Sequence, residues 1–286
     1  MKDRAKWKKI VGWTLFLIAI GFFCLQMGFL FLHVRYQVEY IDNRIFYMIN
    51  LLFVVFLAVA LLVLLKLKNS HQVIIASIGV IFFLTNIVLL ENSNQQIRNI
   101  TSISPSLSKI FSVKENVQSG EAIYYRPYYG ILARPKEVLE NKINGNNKVK
   151  WLAKDIAVLT YKDKNGDIQQ FVGTYGDRKG GLSYYYVGAE IHGVWQGDNV
   201  TVTSGPDGIN VTVGNESELF SWENLEQFGT LAIVLKKDNE AVWTIALKEN
   251  FEVHSDASKP TVGNISLYKA TMEENQPIIL NYIDSN

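Results

Sequence analysis

The 286 residues sum to a net charge of +1, yet that average hides two unlike parts. Residues 1–99 hold 10 Lys/Arg against 4 Asp/Glu and residues 100–286 hold 18 against 23, so the balance moves from +6 to −5. Such asymmetry is a membrane signal, and a slightly acidic larger part argues against any nucleic-acid partner.

Residues 1–10 place Lys2, Arg4, Lys6, Lys8 and Lys9 ahead of an uncharged run, Val11 to Leu32. Two more runs follow, Ile45–Leu65 and Val73–Leu90. Each is close to the ~17–25 residues that cross a ~30 Å hydrocarbon core, and none has the polar stripe of a soluble core helix. Three transmembrane helices are therefore expected at 11–32, 45–65 and 73–90, within a membrane region of residues 11–91. The first run is longer than the ~7–15 apolar residues of a signal peptide, and no small-x-small cleavage pattern follows it. It reads as an uncleaved anchor.

Lys66 and Lys68 interrupt the second and third runs and join the five amino-terminal basic residues on one side, against Arg35, Arg44 and Arg98 on the other. Basic residues in short loops are retained in the cytoplasm. The expected arrangement in a cell membrane is an amino terminus inside and everything after about Ser93 outside. The runs contain no ionisable residue, which disfavours an ion or proton pathway. Gln26, Asn50 and Asn86 are read instead as polar groups that join helices. Trp7 and Trp13 at one boundary, and Tyr36, Tyr40 and Tyr47 at the other, suit the two membrane–water interfaces.

Residues 92–117 are polar, contain Pro105, and read as a juxtamembrane linker with a short helical piece around Ser106–Phe111. Residues 118–286 are rich in Tyr, Val, Ile and Thr. One helix is expected at Pro135–Ile143, where proline opens a turn and acidic residues follow. Elsewhere hairpins dominate, turning at Asn165-Gly166, at Gly205-Pro206-Asp207-Gly208 and at Asp238-Asn239. Alternation in Asn199–Thr203 and Asn210–Val213 gives one buried face; the continuous run Leu231–Leu235 belongs in mid-sheet. The fold expected is three transmembrane α-helices followed by a mainly-β extracytoplasmic domain, an antiparallel sandwich or partly open barrel. That domain has no cysteine, which suits the outer face of a bacterial cytoplasmic membrane. Five N-x-S/T triplets, at Asn99, Asn199, Asn210, Asn215 and Asn264, are read as composition.

Chemistry is harder to find. His254-Ser255-Asp256 has the residue types of a triad, but neighbours in sequence do not converge on one point. Glu190 and His192 share a face if they lie on a strand, yet no third metal ligand accompanies them. Asp163–Asp167 spaces oxygens like a calcium loop, with its glycine two positions early and Thr174 where glutamate belongs; a hairpin tip accounts for it. Gly176–Gly181, GDRKGG, offers amides to an anion but leads into another strand and reads as a solvated turn. No catalytic residue, metal or cofactor is assigned.

The most suggestive stretch is EAIYYRPYYGILARP, Glu121 to Pro135. Tyr124, Tyr125, Tyr128 and Tyr129 surround Arg126, and Arg134 follows. Aromatic rings interspersed with arginine are what protein contacts use, and rings also stack on sugars; the plainer alternative is that alternate tyrosines fill a β core. Three spans, where one would tether the domain, favour a non-enzymatic accessory subunit of a bacterial cell-envelope complex (transport, secretion or wall assembly) with a membrane-protein partner. The alternative is an autonomous sensor or binding module for an envelope glycan or anionic polymer. An outer-face hydrolase working through paired carboxylates is the third class.

Overall fold

The computed structural model describes residues 2–65, 68–176, 178, 184–253 and 261–283, with side chains from Lys6 onward. Three helices come first: α1 (Lys2–Tyr36), α2 (Arg44–Leu64) and α3 (Asn69–Gln96). Each is long and apolar enough to cross a membrane, and a helix is what lets an isolated apolar segment satisfy its own backbone hydrogen bonds. α1 and α3 overrun the apolar runs at both ends. α2 lies between the other two and packs along both. Its contact with α1 is antiparallel: Phe22 stacks on Phe56, Phe23 meets Phe53 at a tilt, and Gly12 admits Leu64, whose Cδ2 is 2.7 Å from where a Cβ would sit.

Seven residues join α1 to α2. Gln37, at φ 52°, turns the chain back so that β1 (Glu39–Tyr40) runs beside the last turns of α1. Tyr40 stacks on Phe29 with ring centroids 3.9 Å apart and donates to Gln26 Oε1 at 3.0 Å. His33 Nδ1 donates to Val38 O at 2.8 Å.

After α3 come β2 (Ile97–Ile103), β3 (Ile110–Asn116), β4 (Ala122–Tyr129) and β5 (Leu132–Val138). With β1 they form a five-stranded half-barrel in the order β1-β5-β4-β3-β2. Two expectations fail here. The linker assigned to 92–117 is largely strand, and its helical piece is instead a serine-held turn in which Ser104 Oγ accepts from Ser108 N and Lys109 N, leading into β3. The helix placed at Pro135–Ile143 is replaced by β5. Pro135 lies opposite Tyr125, where the β4–β5 ladder slips between Tyr124 and Tyr125; a bulge tolerates a proline that cannot donate to the ladder.

The chain forms two compact units, Met1–Thr101 with Ser112–Val138, and Ser102–Phe111 with Leu139–Asn286. Residues 112–138 thus group with the helices, not with the strands that follow. The second unit begins with a three-stranded sheet of β6 (Asn147–Ala153), β7 (Ile156–Lys162) and β8 (Ile168–Thr174). One turn of helix, α4 (Val187–Glu190), precedes nine strands: β9 (Gly193–Gly197), β10 (Val200–Gly205), β11 (Gly208–Val213), β12 (Glu216–Phe220), β13 (Leu225–Phe228), β14 (Ala232–Lys237), β15 (Glu240–Leu247), β16 (Asn264–Lys269) and β17 (Ile278–Ile283).

These nine make one antiparallel sheet in the order β12-β11-β10-β9-β17-β16-β15-β14-β13. Its edge strands, β12 and β13, are consecutive in sequence and joined by the short 3₁₀ turn Trp222–Asn224, so the sheet curls almost closed. Inside lie Trp195, Val202, Ile209, Phe220, Ile233 and Ile245, fully or almost fully buried. Burying each such side chain stabilises the fold by roughly 1.5–3 kcal/mol. The barrel-like architecture and the three hairpins are as expected. Leu231–Leu235, however, falls one strand in from the β13 edge, and near-closure buries it there.

Candidate functional site

The tyrosine–arginine stretch lies on the β4–β5 hairpin and is split by it. Because the ladder slips between Tyr124 and Tyr125, two successive side chains turn inward where strict alternation would bury one. The rest stays outside. Arg126 is exposed, Tyr128 is 57% exposed and Tyr129 81% exposed. Arg134, half-buried, stacks its guanidinium 4.0 Å from the centre of the Tyr128 ring. Gly130, at φ 56°, supplies the left-handed residue of the turn.

The hairpin is fixed against the α1–α2 connection. β1 pairs Glu39 with Ala133 and Tyr40 with Leu132, and Ile41 N donates to Ile131 O at 2.9 Å. Around this junction runs a collar of polar groups, of which Lys114, Glu115 and Asp42 are buried. Lys114, only 5% exposed, places its ammonium 2.6 Å from Glu39 Oε2 and 4.2 Å from the centre of the Tyr125 ring. Burial holds the Lys114 pKa below the usual lysine range even though Glu39 opposes the shift. Burial and the Glu39 charge push the Tyr125 phenol well up. Asp42 accepts from Arg44 through both oxygens and from Thr101 Oγ1 at 3.2 Å. Burial alone would raise its pKa, but the Arg44 bonds outweigh it and hold the carboxyl below the ordinary value. Arg98 lies 3.3 Å from Glu115, whose carboxyl is pushed up by burial. Asn99 Oδ1 accepts from Asn43 N at 3.0 Å, at the start of α2. These charges are compensated within the fold and brace the junction.

Of the proposed helix-joining residues, Gln26 is buried and tied to Tyr40 of β1. Asn86 is buried and donates back to Phe82 O of its own helix at 2.9 Å, and Asn50 is half-buried. Lys6, Lys8, Lys9 and Lys68 are exposed. Lys66, and the side chains of Lys2 and Arg4, lie outside the described residues.

The second unit holds a cleft that brings together two aromatic residues, Tyr186 and Trp222, from distant parts of the sequence. Tyr186 and Trp222, ring centroids 5.8 Å apart, line a space of about 430 Å³ with Gly188, Ala189, His192, Gly205 and Pro206. Trp222 Nε1 donates to Pro206 O at 2.8 Å, fixing the indole. A Cβ at Gly188 would fall 2.4 Å from Trp222 Cζ3, so only glycine lets the ring lie where it does. Tyr186 and Trp222 are 36 positions apart, and nothing local signals that they meet; a tryptophan in the polar turn SWEN was the available hint.

The other motifs resolve differently. Glu190 closes α4, so it and His192 do not share a strand. Asp163 Oδ1 accepts from Asn165 N and Asp167 N, which makes it the organiser of the β7–β8 turn. Arg178 is not solvated: 4% exposed, it pairs with Asp155 through Nη1 at 2.5 Å and Nη2 at 3.0 Å and donates to Lys248 O and Leu247 O. That guanidinium is committed inward. Asp177, Lys179–Gly181 and His254-Ser255-Asp256 lie outside the described residues. Among the described residues, no three His, Cys, Asp or Glu gather in a metal-binding group.

The chain matches no protein-family model, and no curated protein or solved structure is significantly similar to it.

Proposed function

We propose that this protein is a non-enzymatic accessory subunit of a bacterial cell-envelope complex. In this reading α1–α3 cross the cytoplasmic membrane, Lys66 and Lys68 mark a cytoplasmic turn, and both β units lie outside. The observation that carries it is a groove of about 260 Å³ between α2 and α3, lined by Val54, Val55, Ala58, Val59, Leu62, Ala76, Gly79, Val80 and Phe83. Every lining side chain is apolar, and Ala58, Ala76 and Gly79 are small. Small residues let helix backbones approach closely in lipid, where packing rather than the hydrophobic effect drives association. A partner helix is the occupant this lining suits, since the ridge of another helix fits between two helices.

The test is crosslinking in intact cells followed by purification in mild detergent, for wild type and Ala76→Leu. Ala76 is exposed on the groove, so leucine fills it without entering the α2–α3 contact. A single membrane protein at stoichiometric yield, lost at least tenfold in the variant, supports the subunit reading. Equal recovery from both, or no partner from either, removes it.

The Tyr186–Trp222 cleft favours a second reading, an outer module for an envelope glycan. Its aromatic lining and exposed His192 suit stacking on a sugar face with a polar edge nearby. Saccharide binding by the full chain, abolished in Trp222→Ala, would move the assignment there.

A further inference from the structure

We infer that the tip of the β4–β5 hairpin is a lipid anchor: Tyr128, Tyr129 and Ile131 enter the outer headgroup zone of the bilayer, with Arg126 and Arg134 set against lipid phosphates. This rests on the reading of α1–α3 as membrane spans.

Depth is the first support. The 21 residues of α2 rise about 32 Å at ~1.5 Å each, close to a ~30 Å hydrocarbon core, so Arg44 stands at one boundary. Phe29 meets Phe46 with ring centroids 6.2 Å apart, which places Phe29 just inside that boundary. Tyr40 stacks on Phe29, Leu132 pairs with Tyr40, and Ile131 O takes the Ile41 amide. At ~3.3 Å per residue, Gly130 and Tyr129 reach no more than about 10 Å from Ile41. The hairpin therefore ends level with the start of α2.

Composition is the second support. A tip in water favours small polar residues, whereas this one displays two tyrosines and an isoleucine, all exposed. Tyrosine is enriched at the membrane–water interface, where its ring is apolar and its hydroxyl wet.

Charge is the third. Arg126 and Arg134 are direct cross-strand partners, and like charges placed opposite one another destabilise a strand pair. Among the described residues no carboxylate pairs with either. An anion beside the two guanidiniums relieves that repulsion, and phosphate is the group arginine binds in a fork. The nearest acid on β5, Glu137, lies opposite Tyr124, away from the tip.

The experiment uses the full chain with Cys24→Ser, reconstituted in vesicles of equal parts phosphatidylglycerol and phosphatidylcholine. Single cysteines are introduced as Tyr129→Cys, Asn165→Cys and Val80→Cys, and each is labelled with an environment-sensitive fluorophore. Quenching is measured with a nitroxide carried near the lipid headgroup and with acrylamide in water. The label at 129 is expected to be quenched by the lipid nitroxide and to be at least threefold less accessible to acrylamide than the label at 165. Arg126→Gln with Arg134→Gln, or phosphatidylcholine alone, should return the 129 label toward the aqueous value. Equal acrylamide access at 129 and 165 overturns the proposal, and so does shielding of 129 from both quenchers. If the mid-helix label at 80 is also not reached by a nitroxide deeper in the acyl chain, the membrane reading itself falls; if it is reached, only the anchor does.

Discussion

Lys114 is a buried charge, and its pKa, with those of the other shifted lysines and the buried tyrosines, sets how stability responds to alkali. Its folded pKa lies below that of the unfolded chain. Between the two values the unfolded state holds more protons, so this group makes stability rise with pH. The buried phenols have the opposite sign. Burial pushes Tyr40 and Tyr268 up to about 12, and Tyr125 and Tyr161 higher still. From about pH 10 the unfolded chain releases phenolic protons that the folded one keeps, so each phenol makes stability fall from there upward. Burial lowers Lys148 as it does Lys114, whereas Glu226 and Glu218 hold Lys236 and Lys237 up and give them the sign of the phenols, so the fall prevails. Chemical denaturation of the full chain in detergent should show a stability that drops between pH 10 and 12. Raising Tyr268 from its ordinary range to about 12 is worth on the order of 2–3 kcal/mol. Tyr268→Phe should flatten the fall by about that much, and an unchanged slope would assign the effect elsewhere.

At the scale of elements, what was legible in the sequence was what neighbours in the chain decide. The three helices follow from run length. The β7–β8, β10–β11 and β14–β15 hairpins follow from turn chemistry, as at Asp238 and Asn239, which adopt φ of 49° and 66°. Long-range pairing hid the rest. Pro135 looks like a helix opener until β4 supplies a bulge opposite it. Tyr124 and Tyr125 obey no period of two because the same slip turns both inward, so the patch divides differently from what alternation implies. The Trp222–Tyr186 cleft needs the 3₁₀ turn after β12 to meet the start of α4. The β14–β15 turn also carries a prediction. Two non-glycine residues at positive φ form the mirror-image turn that fits strand twist, but a left-handed non-glycine residue costs roughly 1–2 kcal/mol. Asn239 contributes only its carbonyl to the contact with Gln169 Nε2, which glycine keeps. Asn239→Gly should therefore stabilise the protein by about 0.5–1 kcal/mol, read as a rise in the denaturation midpoint with an unchanged slope. A fall would mean that the asparagine side chain holds the turn.

For the whole molecule, with α1–α3 read as membrane spans, the question with most consequence is which side the strands occupy. On that reading the two ends of the helical region lie on opposite sides, so a single assignment fixes both. Lys2, Arg4, Lys6, Lys8, Lys9, Lys66 and Lys68 fall on one side, with Arg35, Arg44 and Arg98 on the other. Lys and Arg in short loops set that bias, with little weight from Asp or Glu, so seven against three favours a cytoplasmic amino terminus. Asn165, exposed at the β7–β8 tip, is a suitable reporter because its turn is organised by Asp163 and not by its own side chain. With Cys24→Ser and Asn165→Cys, a membrane-impermeant thiol reagent should label intact cells to the same extent as lysed ones. Labelling confined to lysed cells would invert the topology. It would place both β units in the cytoplasm, and with them the hairpin tip, which would then meet the inner leaflet, so the same arginines would face a different set of lipids.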